Sequence, residues 1–192
     1  LDLVAEHLVN GAFWNMGENC SATSRLIVHE DVREALMPKI LARVRDWRMG
    51  DPLDPSNHLG SLIDNEHCAK VSGYLAEAGK GVETLVGGTV EGNYVAPTIF
   101  DGVAADSRLA TEEIFGPVLS VITVKSIEEA VAEFIVRADA GVDHIHHGAL
   151  ATGAGGVEII EWQGVLVDAV LAPTGSKIDA TRGVGKIGRA HV

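Results

Sequence analysis

Cysteine is scarce in this sequence: Cys20 and Cys68 are the only two among 192 residues. Their spacing fits no metal-ligand pattern, and one disulfide could not staple a chain of this length. We therefore expect a reducing, cytoplasmic location. There is also no run of about 18 apolar residues, and the N-terminus lacks a basic segment followed by an apolar block. The sequence therefore predicts neither a membrane span nor a signal peptide.

Positive charge is also in short supply, because 15 Lys and Arg face 27 Asp and Glu, which gives a formal net charge of -12. Nucleic acids and anionic membranes repel such a surface, so we exclude both as partners. The composition is otherwise that of a globular protein, with 46% hydrophobic and 22% charged residues. The length suits one domain of ordinary size.

The hydropathy pattern alternates between helical and extended periods. It predicts an amphipathic helix over 32–47 with Asp31 as its N-cap, a loop over 48–63, and a helix that begins at the capping box of Ser126. Two more helices are predicted over 2–14 and 65–78, and strands over 25–29, 83–86, 94–100 and 118–124. This alternation predicts an α/β fold, a mainly parallel sheet with flanking helices.

The composition changes after about Ala132, where glycine becomes frequent and the helical period weakens. Strands are still predicted over 157–160 and 165–171, in an otherwise poorly defined C-terminal tail. We divide the chain into a first unit over 1–132, an unrelated or chimeric segment over 133–186, and a short end over 187–192. The first residues read like the middle of a helix, so we expect a segment before Leu1.

The segment that carries Cys20 is the strongest functional signal in the sequence. Residues 13–24 read Phe-Trp-Asn-Met-Gly-Glu-Asn-Cys-Ser-Ala-Thr-Ser, at a predicted turn between a helix and a strand. Small neighbours leave the sulfur accessible, and Gly17 permits backbone conformations that other residues resist. A reactive thiol needs such access and a lowered pKa, whereas a lone cysteine is more often a structural, inert one.

The order Phe13, Gly17, Glu18, Cys20 resembles the active-site signature of the aldehyde dehydrogenase family. Three further blocks, in the same order as in that family, are similar to it: 50–54, 93–100 and 112–118, the last reading Glu-Glu-Ile-Phe-Gly-Pro-Val. The resemblance runs from Leu1 to about Ala132. It implies an incomplete aldehyde dehydrogenase catalytic domain.

The resemblance implies a chemistry for this segment. A cysteine thiolate attacks an aldehyde, hydride passes to NAD or NADP, and a carboxylate-activated water hydrolyses the resulting thioester to the acid. The oxyanion is held by the backbone N–H of the cysteine and by an Asn side chain. A small aldehyde is thus the implied substrate, and the full-length parent is implied to be a homo-oligomer.

Carried over by motif, Cys20 is the nucleophile and supplies one oxyanion donor. Glu113 would accept hydrogen bonds from the nicotinamide ribose, and Phe115 would pack beside that ribose or the nicotinamide. His67 and Lys70 occupy a region that often contacts the same ribose, although His67 replaces the usual Gln. Asn15 is expected to shape the loop rather than to take part in the chemistry.

The C-terminal third offers a second interpretation. The stretch Val-Asp-His-Ile-His-His-Gly over 142–148 resembles a late barrel strand of the metal-dependent amidohydrolases, in which His147 would bind the metal. The stretch 164–173 resembles the next strand. One ligand is fewer than a catalytic metal needs, so no metal site is predicted. A non-catalytic structural fragment is the third alternative.

Residues 183–188 spell Gly-x-Gly-x-x-Gly, but no helix is predicted after them, so the dinucleotide-binding interpretation fails on context. Residues 187–192 correspond to what a common sequencing-adapter run encodes. We therefore hypothesise a joined sequence, whose last part is excluded from reasoning about the fold. An uninterrupted genomic clone of the whole frame would contradict this hypothesis.

We predict that the purified 192-residue chain has negligible dehydrogenase activity by itself. The resemblance places the general-base Glu, the second oxyanion donor and most of the nucleotide-binding domain upstream of Leu1. The measurement is the formation of reduced NAD in the presence of an aldehyde. Turnover at an ordinary enzymatic rate, about 1 to 1000 per second, would contradict the prediction.

Overall fold

The structure is a computed structural model. It describes residues 1–126 and 128–130, together with the backbone of strands at 146–152, 156–160 and 164–172. The helices are α1 Asp2–Phe13, α2 Glu30–Arg45, α3 Asn65–Leu75 and the short α4 Arg108–Thr111. The strands are β1 Thr23–His29, β2 Glu83–Val86, β3 Val90–Glu91, β4 Tyr94–Val95, β5 Thr98–Asp101, β6 Val118–Val124, β7 His146–Thr152, β8 Gly156–Ile160 and β9 Gly164–Ala172.

A seven-stranded sheet in the order β2-β5-β6-β1-β9-β7-β8 forms the centre, and β3 pairs with β4 in a separate hairpin. The neighbours β5–β6, β6–β1, β1–β9 and β9–β7 are parallel, whereas β2 and β8 pair antiparallel at the two edges. The predicted α/β fold with a mainly parallel sheet is thus confirmed. The strands of the C-terminal third continue this sheet through β9, which pairs with β1.

Both faces of the β5-β6-β1 part of the sheet are covered, as a parallel sheet requires. Successive side chains of β1 point to opposite faces, so Leu26 and Val28 belong to one buried cluster and Ile27 to the other. The first cluster packs under α1 and α2, with Leu36 and Ile40 fully buried. The second packs under α3 and α4. The strands therefore read as continuous apolar runs.

Several predicted helix ends are wrong by a few residues. Helix α2 covers Glu30–Arg45 rather than 32–47, and its N-cap is His29, whose Nδ1 accepts from the Asp31 N–H at 3.2 Å. Asp31 was predicted for that role but lies inside the first turn, where its charge suits the helix dipole. Helix α3 ends at Leu75 rather than 78, because the chain turns before Gly79 at a φ of 81°.

The predicted strand over 94–100 is divided into β4 and β5, and Ala96 and Pro97 lie between them. Proline has no N–H to donate to a ladder, so an uninterrupted strand is unfavourable at that point. Half of the predicted capping box is present: the Glu129 N–H donates to Ser126 Oγ at 3.1 Å, but the Glu129 carboxylate accepts from the Lys125 N–H at 2.7 Å rather than from that of Ser126. In the tail, β8 and β9 match the two predicted strands and β7 is an addition.

Across the described ranges, the structure contains no helix that is both long and apolar enough to cross a bilayer.

Truncation of Leu36 to Ala tests the first buried cluster. Leu36 has no exposed surface, so the change should lower the free energy of unfolding by about 2–5 kcal/mol through lost burial and a cavity. Leu53, which is 90% exposed in the 48–63 loop, is the matched control, and Leu53→Ala should change stability by less than about 0.5 kcal/mol. Urea denaturation followed by circular dichroism measures both, and equal effects would contradict this packing.

Candidate functional site

Cys20 lies in a tight connection between α1 and β1. Asn15, Met16 and Gly17 have φ values of 53°, 56° and 67°, three successive residues in the left-handed region. For the two non-glycine residues this conformation is unfavourable, by about 1–3 kcal/mol each, and persists where the surroundings enforce it. Asn15 Nδ2 donates to the Glu18 carbonyl at 3.1 Å, which supports the shaping role predicted for Asn15.

The two cysteines lie in opposite environments. Cys20 is exposed, as the interpretation of a reachable thiol requires. Cys68 lies in α3, is 5% exposed, and its thiol donates to the Gly92 carbonyl at 3.3 Å. Access to reagents therefore differs strongly between the two thiols.

The segment of Cys20 meets the segment 112–118 through a direct backbone contact. A Cβ on Gly17 would overlap the carbonyl oxygen of Gly116 and lie 3.0 Å from the Pro117 nitrogen, so these two stretches touch without side chains between them. Gly116 in turn packs against Val71 of α3, whose methyl a Cβ at 116 would meet at 2.8 Å. Because β1 and β6 are parallel neighbours, the segments before them arrive at the same sheet edge.

An open cleft of about 920 Å³ lies at this edge. Phe115, which has a φ of 58°, lines it together with His67 and Lys70 of α3. The rest of the lining is Asn15, Met16, Glu18, the stretch 61–64 and Glu66. The structure thus brings together three of the four predicted cofactor residues. Cys20 and Glu113 do not line the cleft, but each lies two residues from a residue that does.

Glu18 and His67 form the most buried polar contact of the cleft, with side chains 11% and 15% exposed. His67 Nε2 lies 2.6 Å from the Phe115 carbonyl and 3.4 Å from Glu18 Oε1. A carbonyl only accepts, so Nε2 carries the proton. Glu18 Oε1 also accepts from the Ile63 N–H at 3.1 Å.

The sequence did not reveal this role of Glu18. In the sequence, Glu18 is recognisable only as one residue of the active-site signature. Its partners are far from it in sequence, so no local spacing pattern could have found them.

The adjacent carboxylates Glu112 and Glu113 have different surroundings. Glu112 accepts from Arg108 Nε and Nη2 at 3.0 and 3.1 Å and from the Tyr74 hydroxyl at 2.9 Å. The hydrogen bonds from Arg108, and then from Tyr74, lower the pKa of Glu112. Burial, and then the hydrogen bond to Glu112, raise the pKa of Tyr74. Glu113 is half-buried, and in the described part of the chain its carboxylate has no hydrogen-bond partner.

Comparison with known proteins identifies the family of the chain. The model of the aldehyde dehydrogenase family matches residues 1–134. The chain belongs to the aldehyde dehydrogenase family. It is 59% identical over 134 residues to an aminoacetaldehyde dehydrogenase of Pseudomonas aeruginosa, an alignment that covers 69% of this chain and 27% of that protein. The chain thus spans about a quarter of the length of this family member.

Solved aldehyde dehydrogenase structures share the fold. A γ-glutamyl-γ-aminobutyraldehyde dehydrogenase from Burkholderia cenocepacia superposes with a TM-score of 0.67 at 38% identity. An indole-3-acetaldehyde dehydrogenase in complex with NAD+ gives a TM-score of 0.68 at 35% identity. Each superposition covers 79% of this chain and 30% of the other chain.

The alternative metal ligand, His147, lies in β7, and its side chain is outside the described residues, as are residues 183–192. The resemblance of this stretch to an amidohydrolase strand therefore stays an expectation from the sequence.

Substitution of Gly17 by Ala tests the contact between the two loops. The added Cβ would overlap the Gly116 carbonyl and strain a left-handed backbone, so the free energy of unfolding should fall by at least about 1–3 kcal/mol. Gly73 of α3 is the control, because a Cβ there meets nothing within 4 Å. Gly73→Ala should be neutral or stabilise by up to about 1 kcal/mol. Thermal unfolding measures both, and an innocuous Gly17→Ala would contradict the contact.

Proposed function

We propose that this chain is the nucleophile-bearing part of an enzyme that oxidises a small aldehyde to its carboxylic acid with NAD or NADP. The observation that carries the proposal is the exposed Cys20 on a loop whose Gly17 backbone rests on Gly116. That contact ties the thiol to the segment of Phe115, which lines the cleft. The proposal does not require this chain to reduce NAD by itself, because the chain spans about 30% of the length of the solved relatives.

Cys20 is proposed as the nucleophile. Its thiolate forms a carbon–sulfur bond with the aldehyde carbon, and the carbonyl electron pair moves to oxygen. The oxyanion re-forms the carbonyl as hydride leaves to the oxidised nicotinamide that bound NAD or NADP would supply, and a thioester remains on Cys20. Water then cleaves that thioester, which releases the acid and restores the thiol.

The backbone N–H of Cys20 is suited to hold the oxyanion. The Glu18 and Ala22 amides donate within the loop, to Asn15 and Asn19 at 3.0 and 2.9 Å. The Cys20 amide, by contrast, has no acceptor among the described residues. A donor that is already oriented and unoccupied stabilises negative charge as it forms, without reorganisation.

The residues that line the cleft, together with Glu113 beside it, fit a nicotinamide ribose. Glu113 presents a half-buried carboxylate that has no partner among the described residues, which suits the hydroxyl pair of a ribose. Phe115 offers an apolar ring in the cleft and Lys70 an exposed ammonium at its edge. His67 has only Nδ1 left for a ribose hydroxyl, as an acceptor. When bound, NAD or NADP would supply the hydride acceptor, and a relative of known structure was solved with NAD+.

The proposal includes the organisation of the chain. A dehydrogenase unit over 1–132, followed by a segment of different origin over 133–186 and a short end over 187–192, is supported by the family match to residues 1–134. A cytoplasmic location is supported by the free cysteines, and a homo-oligomeric full-length parent by the family resemblance alone.

Labelling with a matched pair of reagents, chloroacetaldehyde and chloroacetamide, tests the role of Cys20. Each rate is divided by the rate of the same thiol in the urea-denatured chain, which removes the intrinsic reactivity of the reagent. A site that holds an aldehyde should raise the normalised Cys20 rate for chloroacetaldehyde about tenfold over that for chloroacetamide. Mass spectrometry of peptides gives the rates at Cys20 and Cys68.

Cys68→Ser should leave this preference intact, and Cys20→Ser should remove the fast phase. Cys68 should react slowly with both reagents because it is buried. An equal normalised rate of Cys20 with both reagents would mean an accessible but unspecialised thiol, and would refute the proposed function.

A further inference from the structure

We propose that Glu18 and His67 are positioning residues that form a brace. The two side chains lie in polar contact, and their hydrogen bonds, to the Ile63 N–H and the Phe115 carbonyl, fix the Cys20 loop against the Phe115 turn. The inference rests on the proposed function of Cys20 and extends it, because it assigns His67 to the protein scaffold rather than to the ribose. The brace joins four separate stretches of chain: the Cys20 loop, the 61–63 loop, helix α3 and the 112–118 segment.

The geometry of His67 points to this role. Its backbone N–H donates to Asp64 Oδ1 at 2.7 Å, which caps α3 and fixes the start of the helix. Its ring lies edge-on to Phe115, with centroids 6.1 Å apart. Nε2 donates to the Phe115 carbonyl at 2.6 Å. The ring is thus held at both the helix and the turn, and its one N–H is committed within the protein.

The Phe115 turn needs such support. Phe115 is a bulky residue with a φ of 58°, which costs about 1–3 kcal/mol and reverts unless its surroundings hold it. The hydrogen bond from His67 fixes the carbonyl of that same residue. The next residue, Gly116, carries the oxygen against which Gly17 rests. Release of the Phe115 carbonyl would therefore free the surface that supports the Cys20 loop.

Glu18 closes the brace from the other side. Its Oε1 lies 3.4 Å from His67 Nε2 and accepts from the Ile63 N–H at 3.1 Å. The side chains of Glu18 and His67 are only 11% and 15% exposed, so water competes poorly with their contact, whereas the bond to the Ile63 N–H lies at the surface. Glu18 follows Gly17 and lies two residues before Cys20 in the chain. Anchoring of Glu18 therefore limits the positions that the thiol can take.

Amide exchange in the unmodified chain tests the brace first. Ile63 is a loop residue that is 77% exposed, and within the described residues the Glu18 carboxylate is the one acceptor of its N–H. Its amide should exchange at least about tenfold more slowly than in an unstructured peptide. Glu18→Gln retains a carbonyl acceptor and should keep this protection, whereas Glu18→Ala should abolish it. An unprotected Ile63 amide in the unmodified chain would overturn the proposal.

Alkylation of Cys20 by chloroacetamide supplies a readout that a general loss of stability would not mimic. Glu18→Ala and His67→Ala should each slow it by about threefold or more, because the released loop presents the sulfur only part of the time. The double variant should be no slower than the slower single variant, since both remove the same brace. Glu18→Gln and His67→Gln keep an acceptor and a donor, and should stay within about twofold of the unmodified chain.

The labelling of Cys68 reports whether a variant is folded. Fast labelling of Cys68 in Glu18→Ala would mean that this variant is unfolded. The test is then the exchange of the Ile63 amide in the unmodified chain and in Glu18→Gln: a protected amide supports the brace, and an unprotected amide refutes it. Additive effects of the two Ala variants, or Gln variants as slow as the Ala variants, would also refute it. None of these measurements involves an aldehyde, so failure of the brace is distinguishable from failure of the proposed function.

Discussion

The arrangement of the site depends on one contact that leaves no room for a side chain, the contact of Gly17 with the Gly116 carbonyl. The two glycines precede β1 and β6, which are parallel neighbours paired from Arg25 with Ser120 onward. Parallel strands place the segments that lead into them at one edge of the sheet. The sheet therefore brings the thiol loop and the Phe115 turn to the same edge, and the glycines allow their backbones to touch. The cleft at this edge lies at the amino ends of the strands, whereas open α/β sheets commonly bind ligands at the carboxyl ends.

Much of the fold follows from patterns in the sequence, because burial on both faces leaves a direct mark. The apolar runs of β1 and β6 and the 3.6-residue period of α2 predict a covered parallel sheet, and the sheet has that form. The end of an element depends on hydrogen bonds that no hydropathy pattern encodes. His29 takes the N-cap of α2 because its ring nitrogen reaches the Asp31 amide, although His is an uncommon cap. Pro97 divides the predicted 94–100 strand for a reason that could have been read from the sequence.

The candidate site was predictable only to the level of its motifs. The order of Gly17, Glu18 and Cys20 and the later Glu113 and Phe115 suggested that two distant segments act together. The left-handed backbone of Met16 could not be foreseen, because residues of that type seldom adopt it. Nor could the link from Glu18 to His67, since its partners are brought together by tertiary structure alone. The resemblance implied a ribose contact for His67, whereas the ring of His67 bonds to the Phe115 carbonyl.

The neighbouring residues Glu112 and Glu113 illustrate how the scaffold distributes identical groups between two tasks. Consecutive side chains in an extended segment point in opposite directions, so one carboxylate can face the scaffold while the other faces away. Glu112 binds Arg108 of α4 and Tyr74 of α3, and these bonds tie both helices to the segment that carries Phe115. With the segment anchored through Glu112, Glu113 need not stabilise the fold, and its carboxylate stays without a partner within the described residues. Among the described residues, neither Glu113 oxygen is both buried and unpartnered, so the carboxylate is open to water that a ligand can replace, which is why we assign Glu113 rather than Glu112 to ligand binding.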